Sequence, residues 1–242
     1  MLEPKPSPAG SYEVGAPEPR VRVVAFDVDG TLVEHDAGLV VWQILNRRFV
    51  GDHRLHAERF RAFQRGELSY AEWVRLDVEG WRDGGATRSS IVKAIAEELR
   101  LVPHARVVVD ELVRRGYSVA VVSGTLDVVL DTLFPDHPFA RVFTNRIAFD
   151  DAGAICGWTA TPYDNTGKAE ALRMLADETG CTTQDLAFVG DHLNDCDAMA
   201  LAGCPIAYDP KHERVRSLAR HVIPRGCLDR LLWLLPGPAP SA

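Results

Sequence analysis

The chain has no excess of positive charge, no paired-cysteine spacing and no apolar run that could cross a bilayer. Each absence removes a class of function. The net charge is −7, whereas non-specific nucleic-acid binding needs a basic surface. The five cysteines (Cys156, Cys181, Cys196, Cys204 and Cys227) are odd in number and form no CxxC pair. They match neither a disulfide framework nor a zinc site, and a reduced, cytoplasmic setting is the simplest expectation. Leu231-Leu232-Trp233-Leu234-Leu235 falls far short of the ~20 residues that span a bilayer; it reads as the apolar part of a last helix. The N-terminus lacks the basic start and apolar run of a signal peptide. No membrane and no nucleic acid are expected as partners.

What is present is enough for a sizeable core. The 242 residues, 46% of them hydrophobic, suit one large domain or a core domain with a smaller insert. Residues 1–20 carry five prolines and two glycines and read as a disordered lead-in; residues 236–242 read as a frayed tail. Between them, apolar strands alternate with helical periodicities. Val21–Phe26 is the first strand. From about Asp36 to Leu99 there is no convincing strand, and Leu55, Phe60 and Phe63 show helical spacing less cleanly. Val40, Val41, Ile44 and Leu45 share one face. Ser69-x-x-Glu72 is a capping box opening a helix with Trp73, Leu76 and Trp81. Thr87 or Ser89 caps a further helix with Ile91, Ile95 and Leu99. Four aromatic-rich helices are predicted here, as a small bundle with its own core.

Strand–helix alternation then resumes. Strands are expected at Tyr117–Val122, at Leu186–Val189 and at Pro205–Ala207, with a strand pair around the Asp150–Gly153 turn. The expected fold is α/β: a Rossmann-like, doubly wound parallel sheet with an inserted helical cap. The core comprises residues 21–34 and 101–235, and the cap residues 35–100.

Ligands of such sheets bind at the carboxyl ends of strands, and three polar clusters fall there. Asp27 and Asp29 end the first strand, Ser123-Gly124-Thr125 the second, and Gly190-Asp191-His192-Leu193-Asn194-Asp195 the strand at 186–189. Two carboxylates crowded at the mouth of a buried strand are unfavourable unless a cation or chemistry uses them. Alone, each cluster has an ordinary explanation as an Asp-rich turn, a helix cap or a capping loop, and Lys168 as a solvated helix lysine. Their joint occurrence in this order is far more specific.

Asp27-Val28-Asp29-Gly30-Thr31, Ser123-Gly124-Thr125, Lys168 and Gly190–Asp195 resemble the four motifs of the haloacid dehalogenase superfamily of aspartate-nucleophile phosphatases. The segments GYSVAVVSGT, FTNRIAF, GKAEAL and VGDHLND, and the helical cap after the first strand, resemble its phosphoserine phosphatase branch. The resemblance implies a Mg²⁺-dependent phosphomonoesterase acting on a small phosphorylated metabolite. In it, Asp27 is the nucleophile that becomes an aspartyl-phosphate, and Asp29 is the general acid and base. Asp27, Asp191 and the Asp29 carbonyl hold the metal. Ser123, Gly124, Lys168 and Asn194 bind phosphate, with Asp195 behind them.

The match weakens in the cap. The branch grips the serine amine and carboxylate with a glutamate and an arginine. Here their aligned positions are Asp36 and Asp77, with Arg75 two residues earlier on another helix face. If Asp36 and Asp77 both face the pocket, a neutral or cationic leaving group is favoured over phosphoserine. Transfer to another alcohol, as in a mutase, would use the same core residues and stays open. A non-catalytic phospho-aspartate module is disfavoured by Asp29, which such modules lack.

Overall fold

The computed structural model describes residues 21–164 and 167–238. The disordered lead-in expected over residues 1–20, and residues 239–242 of the expected tail, lie outside the described residues.

Strand β1 (Val23–Phe26) is buried at every position. A strand covered on both faces has no solvent side to make polar, so it reads as a continuous apolar run. A tight turn leads to β2 (Val33–Glu34) and then to the helical insertion: α1 (Val41–Leu45), prolonged by a π-helical turn at Asn46–Val50, then α2 (Arg54–Gln64), α3 (Tyr70–Asp83) and α4 (Arg88–Glu98). Strand β3 (Arg100–Leu101) follows and pairs antiparallel with β2, Val33 opposite Leu101. The insertion therefore leaves and re-enters through one two-stranded neck. The chain continues through α5 (Ala105–Arg114), β4 (Ser118–Leu126), α6 (Asp127–Leu133), β5 (Arg141–Phe149) and β6 (Ile155–Thr159). It closes with α7 (Gly167–Thr179), β7 (Leu186–Gly190), α8 (Cys196–Leu201), β8 (Cys204–Tyr208), α9 (Glu213–Leu218), β9 (His221–Ile223) and α10 (Leu231–Leu234).

Seven strands form one sheet in the order β6-β5-β4-β1-β7-β8-β9. All neighbours run parallel except β5 and β6. Side chains alternate across the sheet, so neighbouring residues of β1 enter different cores. Val23 and Ala25 pack with Leu172, Leu175 and Met199 of α7 and α8. Val24 and Phe26 pack with Val108, Val109 and Leu112 of α5. Strand β1 is central, and the order departs from it in both directions. That reversal opens a crevice at the carboxyl ends of β4, β1 and β7.

Two expectations need correction. The insertion does not close around a core of its own: Trp42, Ile44, Val78, Trp81, Ile91 and Ile95 belong to the same apolar cluster as Val24, Val121 and Leu126. Short helices have too little surface to bury separately, so they bury it against the sheet's own layer. The second sheet strand also runs on through Ser123-Gly124-Thr125 to Leu126, with an irregular register against β5 between Val122 and Leu126. Such a bulge re-aims side chains at a sheet end. Capping follows expectation in part. Ser69 Oγ accepts the Glu72 N–H at 3.2 Å, but the Glu72 carboxylate turns to Arg75. Thr87, rather than Ser89, caps α4 by accepting the Ser90 N–H. No helix among the described residues is long and apolar enough to cross a membrane.

Candidate active site

The turn after β1 determines the shape of the site. Asp27 follows the last residue of the strand, and its N–H donates to the Val189 carbonyl of β7 at 2.9 Å. The Val28 carbonyl accepts N–H groups from Thr31, Leu32 and Val33, so the chain doubles back within five residues. Gly30 stands at φ +87°, and a Cβ there would lie 2.3 Å from Asp191 Oδ2. Backbone and carboxylate approach too closely for any side chain. Gly190 is similar: its missing Cβ leaves room for the Asp195 carboxylate.

Lys168, on the first turn of α7, ties the clusters together. Its Nζ lies 2.7 Å from Asp27 Oδ1 and 2.6 Å from Asp195 Oδ1, with the lysine itself 0% exposed. Burial works against the charged ammonium, but Asp195 and Asp27 outweigh it and hold Lys168 above its ordinary value. The second Asp195 oxygen accepts the N–H groups of Asp191 and His192 at 2.9 and 3.0 Å. Asp195 is thus fully engaged.

Carboxylate oxygens of Asp27, Asp191 and Asp195 lie within 4.8 Å of one another, all buried. Three carboxylates around one ammonium leave an excess of negative charge in a dry place. Burial pushes Asp27 upward against the opposing Lys168 ammonium, with Asp195 and Asp29 adding to the rise, and burial pushes Asp191 upward with Asp195 and Asp27 adding to it. Burial also lifts Asp29, to about 6. Asp191 Oδ1 is buried without a hydrogen-bond partner. A buried orphan carboxylate oxygen beside a second carboxylate is what a hard divalent cation needs as ligands. Because Asp195 is committed to Lys168 and two N–H groups, the donors left for a metal are Asp27 and Asp191.

Asp27, Asp29, Ser123, Gly124, Asp191 and Asn194 all line one cavity of about 800 Å³, within the usual range of small-molecule sites, roughly 300–1,000 Å³. Lys168 and Asp195 lie beneath its floor, 0% exposed. Asn194 Nδ2 donates to the Asp164 carbonyl at 2.9 Å. The Gly124 carbonyl accepts Trp42 Nε1 at 3.0 Å and Asn145 Nδ2 at 2.8 Å. Asn145 Nδ2 also donates to the Tyr70 hydroxyl at 2.8 Å. The insertion therefore holds the Ser123-Gly124-Thr125 segment through two of its own residues.

The three expected cap residues divide differently. Asp36 lies on the cavity rim, exposed and ion-paired to Arg100. Asp77 does not line the cavity. It is 0% exposed, bonded by Asn46 Nδ2 at 2.8 Å and ion-paired to Arg59. Its position on α3 matches that of Trp73 and Trp81, four residues either way, so it turns inward with them. Arg75 points to the outer face, paired with Glu72 and Glu79, and does not line the cavity either. Sequence reasoning also misses Asn145, Asp164, Trp42, His56 and Phe60. Asp164 lines the cavity four residues before Lys168, and burial pushes its carboxyl upward. That nearness in sequence is its only signal.

Known proteins resemble the chain in sequence and in fold. The chain matches the haloacid dehalogenase-like hydrolase family over residues 21–203. It is 33% identical over 215 residues to phosphoserine phosphatase SerB2 of Mycobacterium tuberculosis, covering 88% of this chain and 50% of that one. It is 27% identical over 207 residues to the phosphoserine phosphatase of Lactococcus lactis, covering 85% and 92%. The chain spans about half the length of the mycobacterial relative and of the Streptomyces coelicolor phosphoserine phosphatase. A phosphoserine phosphatase solved as its phospho-aspartyl intermediate analogue superposes with a TM-score of 0.68 at 25% identity, covering 88% of this chain and 99% of that one. With its motifs meeting at one crevice and its sequence matching over most of its length, the chain belongs to the haloacid dehalogenase-like hydrolase family.

Proposed function

We propose that the chain is a Mg²⁺-dependent phosphomonoesterase that works through an aspartyl-phosphate on Asp27 and acts on a small phosphorylated metabolite. The observation that carries this reading is the Asp27–Lys168–Asp195 ion chain beside the unpartnered Asp191 carboxylate. A structural ion pair needs neither the second carboxylate nor an open cavity above it.

Lys168 orients the Asp27 carboxylate through one oxygen and leaves the other for attack. That oxygen forms a bond to phosphorus as the ester P–O bond breaks, and the departing alkoxide takes the proton of Asp29. Water then attacks phosphorus, Asp29 accepts its proton, and the P–O bond to Asp27 breaks to release phosphate. An acid poised at about 6 suits both duties near neutral pH. Ser123 and the N–H groups near Gly30 and Gly124 bind the phosphoryl oxygens. Asp27, Asp191 and the Asp29 carbonyl would hold Mg²⁺, which supplies neutralisation of charge between nucleophile and phosphoryl group. Helices α1–α4 serve as the cap over the site, coupled to the phosphate-binding segment by Trp42 and Tyr70.

The test is a pair of Asn variants. Asp27→Asn should abolish the covalent phospho-enzyme and cost on the order of 10⁴-fold or more in rate. Asp29→Asn should slow the first step with alkyl phosphates by roughly 10²–10⁴-fold, and with aryl phosphates much less, because an aryloxide needs little protonation. Near-normal turnover in Asp27→Asn would end this proposal.

A further inference from the structure

Above the carboxylates the cavity changes character. Its upper wall comes from the insertion and includes Val40, Trp42, His56, Phe60 and Trp73. The rings form a continuous surface: His56 stands 5.1 Å and Phe60 6.1 Å from Trp73, centroid to centroid. Burial lowers His56 to about 4, so this ring joins the wall uncharged at neutral pH. Gln43 and Gln64 are the amides on this side, and Gln43 Oε1 is already used by the Val40 N–H at 3.0 Å.

Among the described residues, no arginine or lysine of α1–α4 lines the cavity. The cations that do line it, Lys211 and Arg225, are each taken by a carboxylate, Asp209 and Glu34. Arg59, which directly precedes Phe60 in sequence, is held by the buried Asp77. A carboxylate carried against the wall of the insertion would find no cation of α1–α4 lining the cavity to pair with, and lying unpaired in a partly dry site is costly.

Resting on the phosphomonoesterase reading, we propose that the preferred substrate is the phosphate ester of an uncharged alcohol with an apolar, ring-bearing body, seated against Trp73, Phe60 and His56. Esters bearing a carboxylate beside the phosphate are discriminated against. The rings of this wall are tilted to one another, 52° for His56 and 51° for Phe60 against Trp73, an apolar surface suited to tilted or edge-on contact with a further ring, and burying the ring there distinguishes it from a short-chain ester by area alone.

The experiment compares three alkyl monoesters on the full chain with Mg²⁺: 2-phenylethyl phosphate, ethyl phosphate and phosphoserine. All three leave as alkoxides, so the comparison reads the pocket rather than leaving-group acidity. The kcat/KM for 2-phenylethyl phosphate should exceed that for ethyl phosphate by at least about tenfold, and phosphoserine should rank no higher than ethyl phosphate. Trp73→Ala should raise KM for 2-phenylethyl phosphate about tenfold more than for ethyl phosphate, with the change confined mainly to KM. Trp73 is deeply buried, so Phe60→Ala, at a half-buried position, provides the same reading if Trp73→Ala does not fold. Preference for phosphoserine, or no gain from the phenyl group, overturns the inference and leaves the phosphatase reading standing. No Mg²⁺-dependent hydrolysis of any of the three, nor of p-nitrophenyl phosphate, overturns both.

Discussion

Lys168 Nζ lies 2.6 Å from Asp195 Oδ1, and neither side chain reaches solvent. The pair joins the start of α7 to the loop after β7 and sets the lysine against Asp27. Removing one member of a buried pair strands the other, which usually costs about 3–5 kcal/mol. Asp195→Asn should therefore lose stability of that order in urea denaturation monitored by Trp fluorescence. A loss under about 1 kcal/mol would show that Lys168 finds full compensation in Asp27 alone.

Metal should act on stability as well as on rate. Binding between Asp27 and Asp191 removes the repulsion of two buried carboxylates, so Mg²⁺ should raise Tm, by roughly 5–10 °C at a hundredfold excess over Kd. In Asp191→Asn that response should shrink and move to higher Mg²⁺ concentration. EDTA should abolish wild-type turnover, and Ca²⁺ should restore it poorly, because its looser coordination spoils the reacting geometry. An unchanged thermal response in Asp191→Asn would rule out this carboxylate as a ligand.

His56 makes stability depend on pH. Burial, with Arg59 adding to it, lowers its pKa from 6.5 to about 4 in the folded state. Between those values the unfolded chain binds the extra proton and the folded chain does not. Stability therefore rises with pH through this window and is lost on acidification from about 6.5 toward 4. The contribution is on the order of 2 kcal/mol. Measured by denaturation at pH 7.5 and pH 5, His56→Leu should show a shallower loss than wild type. Equal losses would mean that the His56 ring accepts its proton without leaving the wall.

Asp27, Asp29, Ser123 and Asp191 are legible in the sequence, because each sits at a strand end that local periodicity reveals, whereas Lys168 stands out only through the resemblance, since by itself it reads as a solvated helix lysine. Asn145 is not, since it lies inside a strand and its partners, Gly124 and Tyr70, are remote in sequence. Asp77 escapes for a related reason. Counting along α3 gives its face, but whether that face meets a pocket or a neighbouring helix depends on where α1 and α2 lie.

The sequence by itself determined the alternation of elements, the buried parallel sheet and the identity of the chemical groups at its carboxyl edge. These follow from side-chain periods of two and 3.6 residues and from turn chemistry, which act over a few neighbours. Only the tertiary structure decided which charges are spent on one another and which face the cavity. Arg59 neutralises Asp77, Arg225 neutralises Glu34, and Asp191 is left unpaired. Those outcomes depend on distances between segments tens to hundreds of residues apart, where burial raises the cost of an unpaired charge and makes each pairing decisive.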